Sequence, residues 1–121
     1  MATILVVDDD EAFRSVLRRT LVRAGYNVRE AADGAAALKS LTDTTVELVI
    51  TDIIMPNMEG IETIRALRRA YPHLSIIAMS GGGRMKPEGY LEVAKAFGAE
   101  CILSKPFDNA QLFAAVEEAL R

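Results

Sequence analysis

Cysteine is nearly absent from this chain. The one copy, Cys101, lies inside an apolar stretch. That excludes an internal disulfide framework, fits a reducing compartment, and reads as a small buried hydrophobe. No segment approaches the length of a membrane span. The first residues, Met1-Ala2-Thr3-Ile4, run straight into apolar sequence with neither a basic leader region nor a cleavage site, so a cytoplasmic location without a membrane partner is expected. Long charge runs, low-complexity stretches and internal repeats are missing too. The formal net charge is only −3, with acids and bases dispersed along the chain, which argues against direct nucleic-acid binding by this domain.

What is present suffices for one core. Hydrophobic residues make up 50% of the 121, so a core can form without disulfides or structural metal. The length suits one domain over 1–121 and leaves no room for a second. The sequence stops after a helical pattern at Arg121, so no output module is expected within it.

Short apolar runs alternate with amphipathic segments. Ile4-Leu5-Val6-Val7 is nearly pure aliphatic, as a strand buried on both faces should be. Phe13, Val16, Leu17, Leu21 and Ala24 then fall at helical spacing up to Gly25. A weaker strand spans 26–31, and Asp33-Gly34 opens an alanine-rich helix through Leu41. Leu48-Val49-Ile50 forms a third strand ending at Asp52. After the turn Pro56-Asn57-Met58-Glu59-Gly60, a helix carries Ile61, Ile64, Leu67 and Tyr71 until Pro72 breaks it. A fourth strand covers 75–79, a fourth helix 90–97, and Cys101-Ile102-Leu103 is the fifth strand. The last helix carries Leu112, Phe113, Val116 and Leu120. Strict β-α alternation with right-handed crossovers implies an α/β fold, a doubly wound parallel sheet of five strands with five helices on its two faces.

Ligands of such sheets bind beyond the carboxyl ends of the strands. Four of the five strand ends here carry suitable chemistry: Asp8-Asp9-Asp10 after the first, Asp52 at the third, Ser80 at the fourth and Lys105 after the fifth. If strands one and three are central neighbours, their acids crowd one pocket. Crowded carboxylates repel unless a cation joins them, and Mg²⁺ is the common hard ion for oxygen ligands. Lys105 offers a compact positive charge and Ser80 a hydroxyl donor for phosphoryl oxygens. Nucleophile, metal site and equatorial donors are the parts phosphoryl transfer needs. Asp52 is the best nucleophile because it stands apart from the acidic cluster. Taken singly these residues read as a helix cap, a turn residue and an exposed lysine; their coincidence at one sheet edge points to function.

The chain resembles the receiver domains of bacterial two-component response regulators over essentially its whole length. The resemblance rests on Ile4 through Asp10, Leu48 through Pro56, Gly60, Ile76 through Ser80 and Ser104-Lys105-Pro106-Phe107. It implies a flavodoxin-like fold of strand order 2-1-3-4-5, with Asp52 as the phosphorylated residue. Asp9, Asp52 and the backbone carbonyl of Ile54 become direct Mg²⁺ ligands, and Asp8 acts through water. Ser80 and Lys105 become the phosphoryl-contacting pair, a cis peptide precedes Pro106, and Asp10 caps the first helix. The expected donor is a sensor histidine kinase or phosphotransfer protein. Such a domain catalyses only its own phosphorylation and dephosphorylation, and hands its state to a downstream output protein or domain. Family members often carry an aromatic three residues before the lysine, where this chain has Ile102. The switch is therefore expected to run through Ser80 and the glycine-rich segment Gly81-Gly82-Gly83 that follows it.

Three rivals compete. A haloacid-dehalogenase-type phosphatase could use Asp8-x-Asp10, Ser80 and Lys105, but it leaves Asp52 idle and lacks a further acidic strand end. An interaction module that lost the chemistry would not need all five pocket residues. A flavin carrier would not place acids in its phosphate loop. His73 reads as a solvated loop residue, and Met55 and Met58 as packing. Arg14, Arg18 and Arg19 give the first helix a basic exposed side on which a kinase could dock.

Overall fold

Each apolar run becomes a strand of one parallel sheet. β1 (Thr3–Val7), β2 (Asn27–Ala31), β3 (Leu48–Asp52), β4 (Ser75–Ser80) and β5 (Cys101–Ser104) lie in the order β2-β1-β3-β4-β5, and every neighbouring pair is parallel. The computed structural model describes residues 2–53, 60–80 and 98–121. Among these are four helices, α1 (Glu11–Arg23), α2 (Gly34–Asp43), α3 (Gly60–Ala70) and α4 (Asn109–Ala119). The helix expected over 90–97, the glycine-rich segment after Ser80, and Ile54, Met55 and Met58 lie outside the described residues.

Side-chain alternation along the strands divides the core into two layers. Leu5, Val7, Val49, Ile76 and Ala78 face one way and meet Ala37 and Leu41 of α2 and Ile64 and Leu67 of α3. Ile4, Val6, Leu48, Ile50, Ile77, Met79 and Leu103 face the other way, against Leu17 and Leu21 of α1 and Leu112, Ala115 and Val116 of α4. A sheet covered on both faces explains why β1, β3 and β4 read as continuous apolar runs. β2 is an edge strand with mostly exposed side chains, which accounts for its weak sequence signal.

Capping residues set where the helices begin. The side chains of Asp10, Asp33 and Asp108 accept from the backbone N–H groups of Phe13, Ala36 and Gln111 respectively. Asp108 and Gln111 form a reciprocal capping box. Asp10 is thus the cap of α1, as expected. The α1 stripe needs correction: Val16 is 53% exposed and Ala24 is exposed, leaving Leu17 and Leu21 as the buried residues of the helix. A helix laid on a sheet buries only a narrow stripe, and Val16 falls on its far side. Cys101 is half-buried at the sheet edge, not fully buried, and His73 is exposed. No helix among the described residues is long and apolar enough to cross a membrane.

Candidate functional site

Parallel pairing brings the chemistry to one edge. β1 and β3 are central neighbours, with Val7 opposite Thr51, so Asp8 and Asp52 leave the sheet side by side. Asp52 pairs with Met79, one residue before Ser80. Ser80 pairs with Ser104, one residue before Lys105. The Ser80 carbonyl also accepts from the Lys105 N–H at 2.6 Å, and the Lys105-Pro106 peptide is cis. Asp8, Asp9, Asp52, Ser80 and Lys105 therefore gather at the carboxyl edge, while Ile54 lies outside the described residues.

Carboxylate oxygens of Asp8, Asp9 and Asp52 lie within 4.8 Å of one another. Asp8 is 1% exposed and both its oxygens are engaged: Oδ1 accepts from the Asp10 N–H at 2.9 Å and Oδ2 from Lys105 Nζ at 2.8 Å. The same ammonium donates to Asp52 Oδ2 at 3.0 Å. Burial pulls the Lys105 pKa down, but hydrogen bonds and charge from Asp8 and Asp52 outweigh it and leave the group above its ordinary value. The lysine stays charged in the physiological range and offsets the crowding of acids. Asp9 remains exposed. Ser80 is 5% exposed at the end of β4.

Two contributors escape the sequence reading. Arg14 does not join a basic exposed side: its Nη1 donates to the Asp8 carbonyl at 2.7 Å and its Nε to Glu30 at 2.9 Å. Arg14 thereby ties α1 to the acidic turn and to β2. Arg18 also reaches Glu30, at 3.5 Å, yet stays exposed, as does Arg19. Phe13, read only as core, lies under the Lys105 ammonium, 4.1 Å from its ring centroid. No local motif announces the contacts of Arg14 with Glu30 and of Phe13 with Lys105, since each joins α1 to another segment of the chain. An apolar groove lined by Leu41, Val46, Tyr71 and Leu74 opens at the opposite end of the sheet and contains none of the expected site residues.

The fold and much of the sequence recur in known proteins. A family model described as the response regulator receiver domain matches residues 4–117. The DNA-binding transcriptional regulator NtrC of Azospirillum brasilense is 38% identical over 121 residues, covering 98% of this chain and 24% of that protein. The transcriptional regulatory protein CpxR of Escherichia coli strain K12 is 36% identical over 121 residues, covering 100% of this chain and 50% of that protein. The chain thus spans half or less of the length of these relatives. The solved structure of chemotaxis protein CheY4 of Vibrio cholerae superimposes with a TM-score of 0.89 at 34% identity, covering 99% of each chain.

Proposed function

The chain belongs to the response regulator receiver domain family, whose members are phosphorylation-controlled signalling modules, and on that premise we propose that Asp52 accepts the phosphoryl group. One observation carries the assignment. Lys105 bridges Asp8 and Asp52 in a pocket that also gathers Asp9, so a nucleophilic carboxylate, a cation site and a phosphoryl-binding cation converge. A dehalogenase-type phosphatase would leave Asp52 without a task in that cluster.

In the proposed reaction an Asp52 carboxylate oxygen attacks phosphorus. The O–P bond forms as the P–N bond of a donor phosphohistidine breaks, and the electron pair returns to the donor imidazole. The Lys105 ammonium moves a donor from Asp52 to a phosphoryl oxygen, and the Ser80 hydroxyl donates to another. The three clustered carboxylates are a hard oxygen set that fits Mg²⁺; bound there with the Ile54 carbonyl, the ion would neutralise charge between carboxylate and phosphoryl group. Full engagement of both Asp8 oxygens supports Asp9 and Asp52 as direct ligands and Asp8 as a ligand through water.

The reading extends to partners. We take 1–121 as one receiver domain that catalyses only its own phosphorylation and dephosphorylation, served by a sensor histidine kinase or phosphotransfer protein. The exposed Val16 and Arg19 of α1, which line one surface groove with Asp9 and Ser15, supply its docking face. The single free thiol of Cys101 suits the cytoplasm, where we expect the domain.

The test is direct. Incubation with Mg²⁺ and a small phosphodonor should add one acyl phosphate, labile at alkaline pH, and Asp52→Asn should abolish it. Equal labelling of that variant would falsify the assignment, and no labelling of the parent would favour an interaction module without the chemistry.

A further inference from the structure

Among the described residues the Lys105 ammonium has three neighbours, two of them carboxylates. The third is the Phe13 ring, whose centroid lies 4.1 Å from Nζ, well inside the range of a cation–π contact. Phe107 meets that ring edge-on, with centroids 6.0 Å apart and planes at 85°, an arrangement aromatic quadrupoles favour. Both rings are half-buried against the α1/α4 layer of the core.

The ring is fixed to a rigid support. The Phe13 N–H donates to the Asp10 cap at 3.1 Å, and the Arg14 N–H donates to the Asp10 carbonyl at 2.9 Å. Arg14 Nη1 then holds the Asp8 carbonyl at 2.7 Å. The start of α1 is therefore pinned to the same turn that carries the acids. Phe107, two residues after Lys105, packs against the ring and braces it.

We propose that Phe13 is a positioning residue for phosphoryl transfer: its face, braced by Phe107, holds the Lys105 ammonium at the pocket while the ammonium exchanges its oxygen partners. When Asp52 becomes an acyl phosphate, its own charge passes to the phosphoryl oxygens, and Lys105 must move an N–H donor to follow. Asp8 and the ring are the contacts that do not change. The ring attracts the cation without offering an oxygen that competes for its donors. It also covers an ammonium whose side chain is 21% exposed, and so limits hydration that would weaken its pull on phosphate. Packing alone would be served equally by leucine; the aromatic face would not.

The inference rests on Asp52 as acceptor, so its test has one arm that needs no phosphorylation. In the metal-free parent, ring current should shift the Lys105 ε-methylene protons upfield, and Phe13→Leu should remove that shift. Phosphorylation by a small phosphodonor with Mg²⁺ should then slow about three- to tenfold in Phe13→Leu, the scale of a partly desolvated cation–π contact. Replacing Phe13 with a ring-trifluorinated phenylalanine keeps the shape and weakens the quadrupole, so its rate should fall between the two. A parent-like rate in the fluorinated protein, with or without slowing in Phe13→Leu, reduces the ring to packing and overturns the proposal. So does an unshifted ε-methylene in the parent. Labelling that survives Asp52→Asn fails the acceptor assignment instead and leaves the ring-current result to judge the contact.

Discussion

At the residue scale, neighbouring aspartates divide the work. Asp10 turns its side chain to the α1 backbone, Asp8 is buried and doubly engaged, and Asp9 remains exposed with a carboxylate oxygen within 4.8 Å of those of Asp8 and Asp52. Asp9→Ala should lower Mg²⁺ affinity tenfold or more, on the order of losing one direct ligand, and leave stability unchanged or slightly raised by relieving repulsion. Asp10→Ala should cost about 1 kcal/mol of stability through the lost cap and barely alter Mg²⁺ affinity. Calorimetric titration beside urea melts separates the two, and a larger affinity loss in Asp10→Ala would shift the ligand assignment by one residue. Lys105→Ala strands a buried Asp8 carboxylate and should cost about 1–3 kcal/mol without Mg²⁺. Because the folded lysine titrates above its ordinary 10.5, its contribution is fully present below that value and lost as pH rises through the folded pKa. The gap between parent and Lys105→Ala should stay flat from about pH 6 to 9 and narrow beyond about pH 10.5. A gap that closes near neutrality would mean the ammonium is not the stabilising group.

Between elements, two glycines sit where backbones or side chains come close. A Cβ on Gly60 would run into the backbone of Ile53 and the Asp52 carbonyl, and the Gly60 N–H donates to the Ile53 carbonyl at 2.6 Å. α3 thus starts directly against the end of β3 that carries Asp52. Gly98, at φ +119°, lies against the Arg68 side chain. Arg68 donates to the Gly98 carbonyl at 2.7 Å, to Glu100 at 3.0 Å and to the Pro72 carbonyl at 2.8 Å, clamping the approach to β5 onto α3. Gly60→Ala should cost about 2 kcal/mol or more, because backbone must move. Gly98→Ala should cost about 1 kcal/mol, from the strained dihedral together with a shift of the Arg68 side chain, which is a smaller disturbance than moving backbone. Denaturant melts check both, and the reverse order would show that the α3 start relaxes easily.

For the whole molecule, the carboxylate cluster exists only when the sheet does. Asp8 and Asp9 come from the β1 end and Asp52 from the β3 end, so an unfolded chain has no cluster to offer. Mg²⁺ should therefore bind the native state alone and stabilise it by about 1.4 kcal/mol at ten times its dissociation constant. Thermal melts should rise by about 3–6 °C on that scale, and Asp9→Ala should lose most of the rise. An equal rise in parent and Asp9→Ala would mean that the ion acts elsewhere on the surface.

The capping box at Asp108 emerged with the structure, whereas the alternation of strands and helices, the cap at Asp10, the opening of α2 at Asp33-Gly34 and the identity of the residues at the strand ends were legible in the sequence. Those features are local: an aliphatic run, a helical stripe and a capping carboxylate act over a few neighbouring residues. Parallel pairing then forces the strand ends together, so the sequence pattern alone puts Asp8, Asp52, Ser80 and Lys105 at one edge. Only the tertiary structure decided how α1 rolls against the sheet. That roll exposes Val16, turns Arg14 to the Asp8 carbonyl and lays Phe13 beneath Lys105. Its angle is set by packing against Ile4, Val6 and Ile50 and by the hold of Glu30 on Arg14, contacts between segments far apart in the chain. Helical periodicity fixes which residues share a stripe but not which neighbour the stripe meets, and that choice belongs to the packed core.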